Sequence, residues 1–263
     1  MTVTRGENGK SGPSGSSGGL VVLPELVVPS SETGFLRSIV RETGRSVLAG
    51  LTWQPLRCVT PAHATTQVRK RFIVNEATLI VPIADEESDE YRLTREFRIR
   101  KPTPAHLEHG FAEALSATTS GGNAGSGTTF QLLPGRKWYR FVHPDWGDFS
   151  VGICADLLDP APWLNLRGEI LHLVLSAFNK DVKLYDKLSW IRAYESYANV
   201  VVGNHGSYGG SFAWSPKHRN HKELARIRGS HLHVVADVEL PIRELAKAQQ
   251  QGVERAVEAS KRE

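Results

Sequence analysis

Cysteine is scarce: 263 residues contain two, Cys58 and Cys154. That excludes a disulfide-stapled secreted scaffold and a zinc module built from several cysteines. Methionine is scarcer still, with one residue at position 1, which excludes a Met-rich recognition surface. Charge of one sign is nearly balanced by the other. The 32 Lys and Arg exceed the 28 Asp and Glu by four, too small an excess for a dedicated nucleic-acid binder. No run approaches the roughly 18 apolar residues of a membrane-spanning helix. The first 19 residues lack the apolar stretch of a signal peptide. These absences lead us to expect a soluble cytoplasmic protein with reduced thiols and neither a membrane nor a nucleic-acid partner.

The chain divides into three parts. Residues 1–19 are rich in Gly and Ser and nearly devoid of apolar side chains, so they are expected to be disordered. Residues 20–240 carry the pattern of one folded domain, and 241–263 a charged, helix-prone tail. Leu20-Val21-Val22-Leu23, stopped by Pro24, suits a buried strand. Glu32–Gly44 follows as a helix with Phe35, Ile39 and Val40 on one face, and Ser46–Leu51 as a second buried strand. That order indicates an α/β unit. Arg71–Ile83 and Glu90–Lys101 read as a hairpin around the acidic turn Asp85–Asp89. A Gly/Ser/Thr-rich surface loop spans 121–129. Strands are expected over Arg136–Val142, Phe149–Cys154, Leu171–Ala177, Val200–Gly203 and His231–Val238. A helix is expected over Val182–Ala198, with Leu184, Leu188, Ile191 and Tyr194 at helical spacing.

Three positions stand out chemically. Glu25 directly follows the first apolar strand, at the end where open α/β sheets place ligand crevices; a solvated loop carboxylate would look the same. Lys101 closes a strand in which Phe97 and Ile99 share its face by period-2 alternation. An ammonium there is costly unless a carboxylate answers it, although Pro102 also allows the strand to end early and the lysine to point outward. Cys154 ends the strand Phe149–Ile153, and Asp159-Pro160 beyond it reads as a helix start. A thiol at such an elbow can lean on the positive end of a helix; a buried structural cysteine is the plainer reading, and Cys58 has only that. His109 and His143 are possible partners for Cys154. His218/His221 and His231/His233 are close in sequence but lack a second ligand pair, so no metal site is expected.

Taken in order, Leu23-Pro24-Glu25-Leu26, Arg100-Lys101 and Gly152-Ile153-Cys154-Ala155-Asp156 resemble the glutamate, lysine and cysteine motifs of the nitrilase superfamily, the carbon–nitrogen hydrolases. Glu108 fits the slot of that family's second glutamate. Arg192–Ser196, Val200–Asn204, and Gly209-Gly210-Ser211 with Pro216 are similar to the segments that follow the cysteine. The resemblance runs from about Leu20 to Leu240. Two departures are visible. The family opens with a further strand and helix that are missing here, leaving a strand edge for a partner or another segment to cover. Ala155 stands where the family often has an aromatic residue.

The resemblance implies an α-β-β-α sandwich and an amidase-like hydrolase of a non-peptide carbon–nitrogen bond. Its nucleophile would be Cys154, with Glu25 as base, Lys101 stabilising the oxyanion and Glu108 orienting. It further implies a small amide or nitrile substrate, no cofactor, and assembly into homo-oligomers. A different class remains open: a nitrilase-like binding or regulatory module whose activity has decayed. Nucleic-acid binding through Arg69, Lys70, Arg71, Arg92, Arg95, Arg98 and Arg100 is the weaker reading, because alternating arginines form the solvated face of a strand and no aromatic platform accompanies them.

Overall fold

A computed structural model describes residues 2–5, 18–56, 69–83, 93–119, 128–217 and 222–260. Cys58, Arg92, His218, His221, the acidic turn and most of the loop expected over 121–129 lie outside these. The first half contains β1 (Thr2–Arg5), β2 (Leu20–Val22), α1 (Thr33–Thr43), β3 (Ser46–Gly50), β4 (Gln54–Leu56), β5 (Arg69–Val74), β6 (Glu76–Ile83), β7 (Leu93–Arg100), α2 (His106–Thr119) and β8 (Thr128–Leu132). The second contains β9 (Arg140–His143), β10 (Gly147–Ile153), α3 (Ala161–Asn165), β11 (His172–Ala177), α4 (Val182–Ser196), β12 (Asn199–Asn204), β13 (Ser211–Trp214), β14 (Glu223–Ile227), β15 (Asp237–Leu240) and α5 (Ile242–Ser260).

Two six-stranded sheets face each other, in the orders β15-β1-β2-β3-β6-β7 and β14-β13-β12-β11-β10-β9; β4, β5 and β8 form a small third sheet. Alternation along the strands sorts side chains between layers. In β3, Leu48 enters the core shared with Val151, Leu173 and Val200 of the second sheet, whereas Val47 and Ala49 pack beneath Leu36 and Val40 of α1. Helix α4 lies along β12 and β13 of the second sheet. The layers are therefore α-β-β-α. The parallel strands β2–β3 and β10–β11–β12 direct their C-terminal ends toward one region, where the site is built.

Several expectations require correction. Thr2–Arg5, placed in the disordered segment, is a strand: it pairs antiparallel with β2 and parallel with β15. It occupies the edge of β2 that was expected to lie open, so a segment of the chain itself covers that edge. Its backbone groups can join a ladder whatever its side chains are, which composition does not reveal. The hairpin begins at Glu76 rather than Arg71, because Asn75 separates β5, in the small sheet, from β6. The strand expected over Arg136–Val142 is shorter and later, and that over His231–Val238 is confined to β15. The 241–263 tail is a docked helix in its first half: Leu245 is fully buried, and Gln249 donates to the carbonyls of Ile170 and Tyr197. In α1 the inward residues are Leu36 and Val40, and Phe35 is exposed. In α4 the buried stripe is Tyr185, Ser189, Arg192, Ala193 and Ser196, so the apolar Leu184 and Ile191 face outward. The buried stripe is made largely of small and polar residues, so apolar spacing points to the other face.

Candidate active site

Glu25 reaches its place because the chain leaves β2 and crosses to the second sheet. Its N–H donates to the carbonyl of Ala177 at 3.3 Å, and the Ser176 hydroxyl donates to the carbonyl of Leu23 at 2.9 Å. The crossing passes close over Gly50. A Cβ on Gly50 would lie 2.3 Å from the Glu25 Cα and 2.8 Å from the Pro24 carbonyl oxygen, so no larger residue fits without moving the glutamate.

Lys101 follows β7 with the expected alternation: Ile99 and Lys101 are buried while Arg98 is exposed. Its backbone is fixed on both sides, the N–H donating to the Asn75 carbonyl at 2.9 Å and the carbonyl accepting from Gly135 at 2.8 Å. Its ammonium, in a residue only 3% exposed, donates to Glu25 Oε1 at 3.0 Å and to Glu108 Oε1 at 2.7 Å. Glu108 sits in the first turn of α2, where Glu108 Oε2 accepts the Ala105 N–H at 2.8 Å. Burial alone would pull the lysine's pKa down. The attraction of Glu25, the Cys154 sulfur and Glu108 outweighs it and holds the ammonium well above its ordinary range.

Cys154 lies at the end of β10, where the backbone turns into a 3₁₀ helix over Cys154–Leu158. Its φ of 44° lies in the left-handed region, uncommon for any residue but glycine. Asp156 holds this elbow. One of its oxygens accepts the Ile153 N–H and the other the Thr103 N–H, both at 2.8 Å, which also ties the loop after Lys101 to the turn. Trp163, fully buried, packs on Gly152 and donates to the Asp156 carbonyl at 3.1 Å. Burial and the nearby Glu25 carboxylate push the Cys154 thiol up to about 12, against the opposing pull of Lys101, the Tyr185 hydroxyl and the Phe178 backbone. The resting group at neutral pH is therefore a thiol that needs a base.

That base candidate and the thiol share an anchor. The Phe178 N–H donates to Glu25 Oε2 at 3.1 Å, and the Phe178 carbonyl faces the Cys154 sulfur at 3.6 Å. Glu25, Lys101, Glu108 and Cys154 all line one cavity of about 580 Å³, with Trp53, Thr103, Phe178, Asn179, Tyr185 and Tyr208 around them. The structure thus brings together all four side chains singled out from the sequence.

It does not bring the histidines to the sulfur. His143 stacks on Trp146 beside the opening of β10, about 20 Å along the strand from Cys154. His109 is exposed on α2. His231 and His233 line a separate cavity of about 400 Å³ with His205. Among the described residues no group of three His, Cys, Asp or Glu is placed to hold a metal ion. Arg98 and Arg100 of the basic strand are paired with Glu96 and Glu76.

Sequence reasoning missed two members. Asn75, 3% exposed, donates through its amide to both Glu25 Oε1 (2.6 Å) and Glu108 Oε1. It thereby holds the two carboxylates around the ammonium. The available signal was Asn75, the first of three polar residues, with Glu76 and Thr78, that interrupt the apolar run between Phe72 and Ile83. Tyr185 places its hydroxyl 3.4 Å from the Cys154 sulfur. Nothing in the sequence distinguished it from its outward neighbour Leu184.

No protein-family model and no curated protein matches the chain. Solved structures do. A mutant of the amidase from Nesterenkonia sp. AN1, showing the result of Michael addition of acrylamide at its active-site cysteine, superposes with a TM-score of 0.50 at 16% identity, covering 90% of this chain and 85% of that one. A cysteine-to-alanine mutant of the same organism's amidase, described as from the nitrilase superfamily, gives 0.49 at 17% identity over 90% and 83%. The likeness is one of architecture: this chain has the fold of the Nesterenkonia amidase.

Proposed function

We propose that the protein hydrolyses a small, non-peptide amide through a thioester on Cys154. The observation that carries this reading is the buried Lys101 ammonium, held between Glu25 and Glu108 in the cavity that Cys154 enters from a strained elbow. Two carboxylates and a lysine removed from water are costly to assemble, and strain at a nucleophile is retained where it serves chemistry.

In this mechanism Glu25 accepts the Cys154 proton as the sulfur attacks the carbonyl carbon. The carbon–sulfur bond forms and the carbonyl electron pair moves to oxygen. Lys101 and a backbone N–H stabilise that oxyanion, donors of a kind worth about 3 kcal/mol each. Collapse of the intermediate breaks the carbon–nitrogen bond, and Glu25 returns its proton to the leaving amine. Water then enters, gives a proton to Glu25 and attacks the thioester, and the acid leaves as the thiol is restored. Glu108 and Asn75 orient Lys101 and Glu25. A cavity of about 580 Å³ supports an acyl group of modest size. We place the protein in the cytoplasm, where Cys154 stays reduced. The Nesterenkonia enzyme is an amidase, which agrees with an amide rather than a nitrile. Exposed Leu184, Trp190 and Ile191 on α4 favour a homo-oligomer, which sedimentation equilibrium reads directly.

Intact mass spectrometry tests the chemistry. After incubation with a panel of short amides, the chain should gain the acyl mass on Cys154, and Cys154→Ala should gain none and lose turnover while keeping its fold. Cys154→Ala protein that still hydrolyses the same amides would reject the nucleophile. A chain that never acquires an adduct, nor turns any amide over, would leave the binding-module reading in its place.

A further inference from the structure

The Tyr185 hydroxyl is the polar side-chain group that touches the reacting sulfur and has no part in the mechanism above. Tyr185 lies on the buried stripe of α4 and is 3% exposed. Which of the two atoms donates follows from their other partners. The Phe178 carbonyl can only accept, so the Cys154 S–H points to it at 3.6 Å. Asn179 lines the same cavity, and its side-chain carbonyl oxygen accepts the Asp181 N–H at 2.6 Å. The backbone of Asn179 is clamped by Asn204, which accepts its N–H at 2.9 Å and donates to its carbonyl at 2.8 Å. With the S–H directed to the Phe178 carbonyl, the sulfur is left to accept, and the phenol 3.4 Å away is its donor.

We propose that Tyr185 is a catalytic residue whose O–H donates to the Cys154 sulfur and stabilises it as a thiolate. When Glu25 takes the S–H proton, the electron pair left on sulfur meets two donors: the Lys101 ammonium, through its charge, and the Tyr185 hydroxyl, which keeps its own proton. Burial and the adjacent sulfur hold that phenol protonated well above its ordinary range, so it donates and does not compete with Glu25 as a base. Once the sulfur carries an acyl group it is a poorer acceptor, and the donor is free to follow the leaving group's departure.

The use of the thiolate in turnover rests on the amidase reading, but the contact does not, and the test separates the two. The rate of Cys154 modification by methyl methanethiosulfonate, a probe with no amide group, is followed from pH 6 to 11 in the full chain. Tyr185→Phe should raise the thiol pKa by about one unit and so slow modification about tenfold throughout that range, the effect of one hydrogen bond to an ionised group. Tyr185→3-fluorotyrosine, a stronger donor of nearly the same shape, should shift the pKa downward. It also serves if Tyr185→Phe does not fold. An unchanged profile in either folded variant would overturn the proposal, as would a lower pKa in Tyr185→Phe, which would mean the thiol donates to the phenol. Neither outcome depends on amide turnover.

Discussion

Replacing Lys101 by methionine removes a buried cation with little change of volume. The ammonium lies 3.0 Å from one carboxylate oxygen of Glu25 and 2.7 Å from one of Glu108. At an effective dielectric constant of about 20, each contact is worth roughly 5 kcal/mol of Coulomb attraction, against a desolvation penalty of similar size. The net value of the cluster is therefore small, but removing its centre is not small. Two carboxylates would then share Asn75 in a dry crevice with no positive charge between them, and breaking a buried pair in this way costs about 3–5 kcal/mol. For a chain of this length that is a fall in Tm of roughly 6–20 °C at neutral pH. Adding Glu108→Gln to Lys101→Met should cost less than the sum of the single variants, because it relieves the repulsion. Calorimetry at neutral pH measures all of this. A Lys101→Met chain as stable as the native one would show that the three side chains do not form a buried ionic cluster.

Gly50→Ala should lose far more activity than stability. Its methyl must displace the Glu25 backbone, so kcat should fall at least tenfold while chemical denaturation shows a loss of about 1–3 kcal/mol; unchanged kinetics would mean that the crossing over Gly50 does not position Glu25. Asp156, fully buried, has its carboxyl pushed by burial from an ordinary 3.8 up to about 7, opposed by the Ile153 and Thr103 N–H groups. A carboxyl whose folded pKa is raised contributes its stability below about pH 4 and loses it as pH rises through about 7. Asp156→Asn should therefore flatten that part of the Tm–pH curve while lowering Tm at pH 4, because one N–H then faces an amide NH₂; thermal melts that retain the native slope would refute the assignment.

Much of the second sheet was legible in advance. The strands around Val151, Leu173 and Val200 are continuous apolar runs of the kind that parallel strands buried on both faces require. Glu25, Lys101 and Cys154 were legible for the opposite reason, as polar residues standing at the ends of such runs. Asn75 and Tyr185 were not. Each looks ordinary where it sits, and each acquires its role only from groups dozens of residues away. Helix α4 was placed correctly along the chain but turned the wrong way, since the face it buries carries Tyr185, Ser189, Arg192, Ala193 and Ser196 and is the less apolar of the two. Thr2–Arg5 was misjudged because a strand that completes a ladder is held by backbone hydrogen bonds, which composition cannot register.

What the sequence by itself determined is most of the order of strands and helices and the chemistry available, because burial periodicity and residue type are local properties that survive in a one-dimensional record. The tertiary structure alone decided that the ammonium stands between two carboxylates and that the sulfur and the base candidate share the Phe178 backbone. It also decided which face of α4 meets the thiol. Those outcomes depend on loops crossing between two sheets, and on angstrom-scale approaches such as that of Glu25 over Gly50. Electrostatic energy at such distances varies too steeply with separation to be read from spacing along a chain.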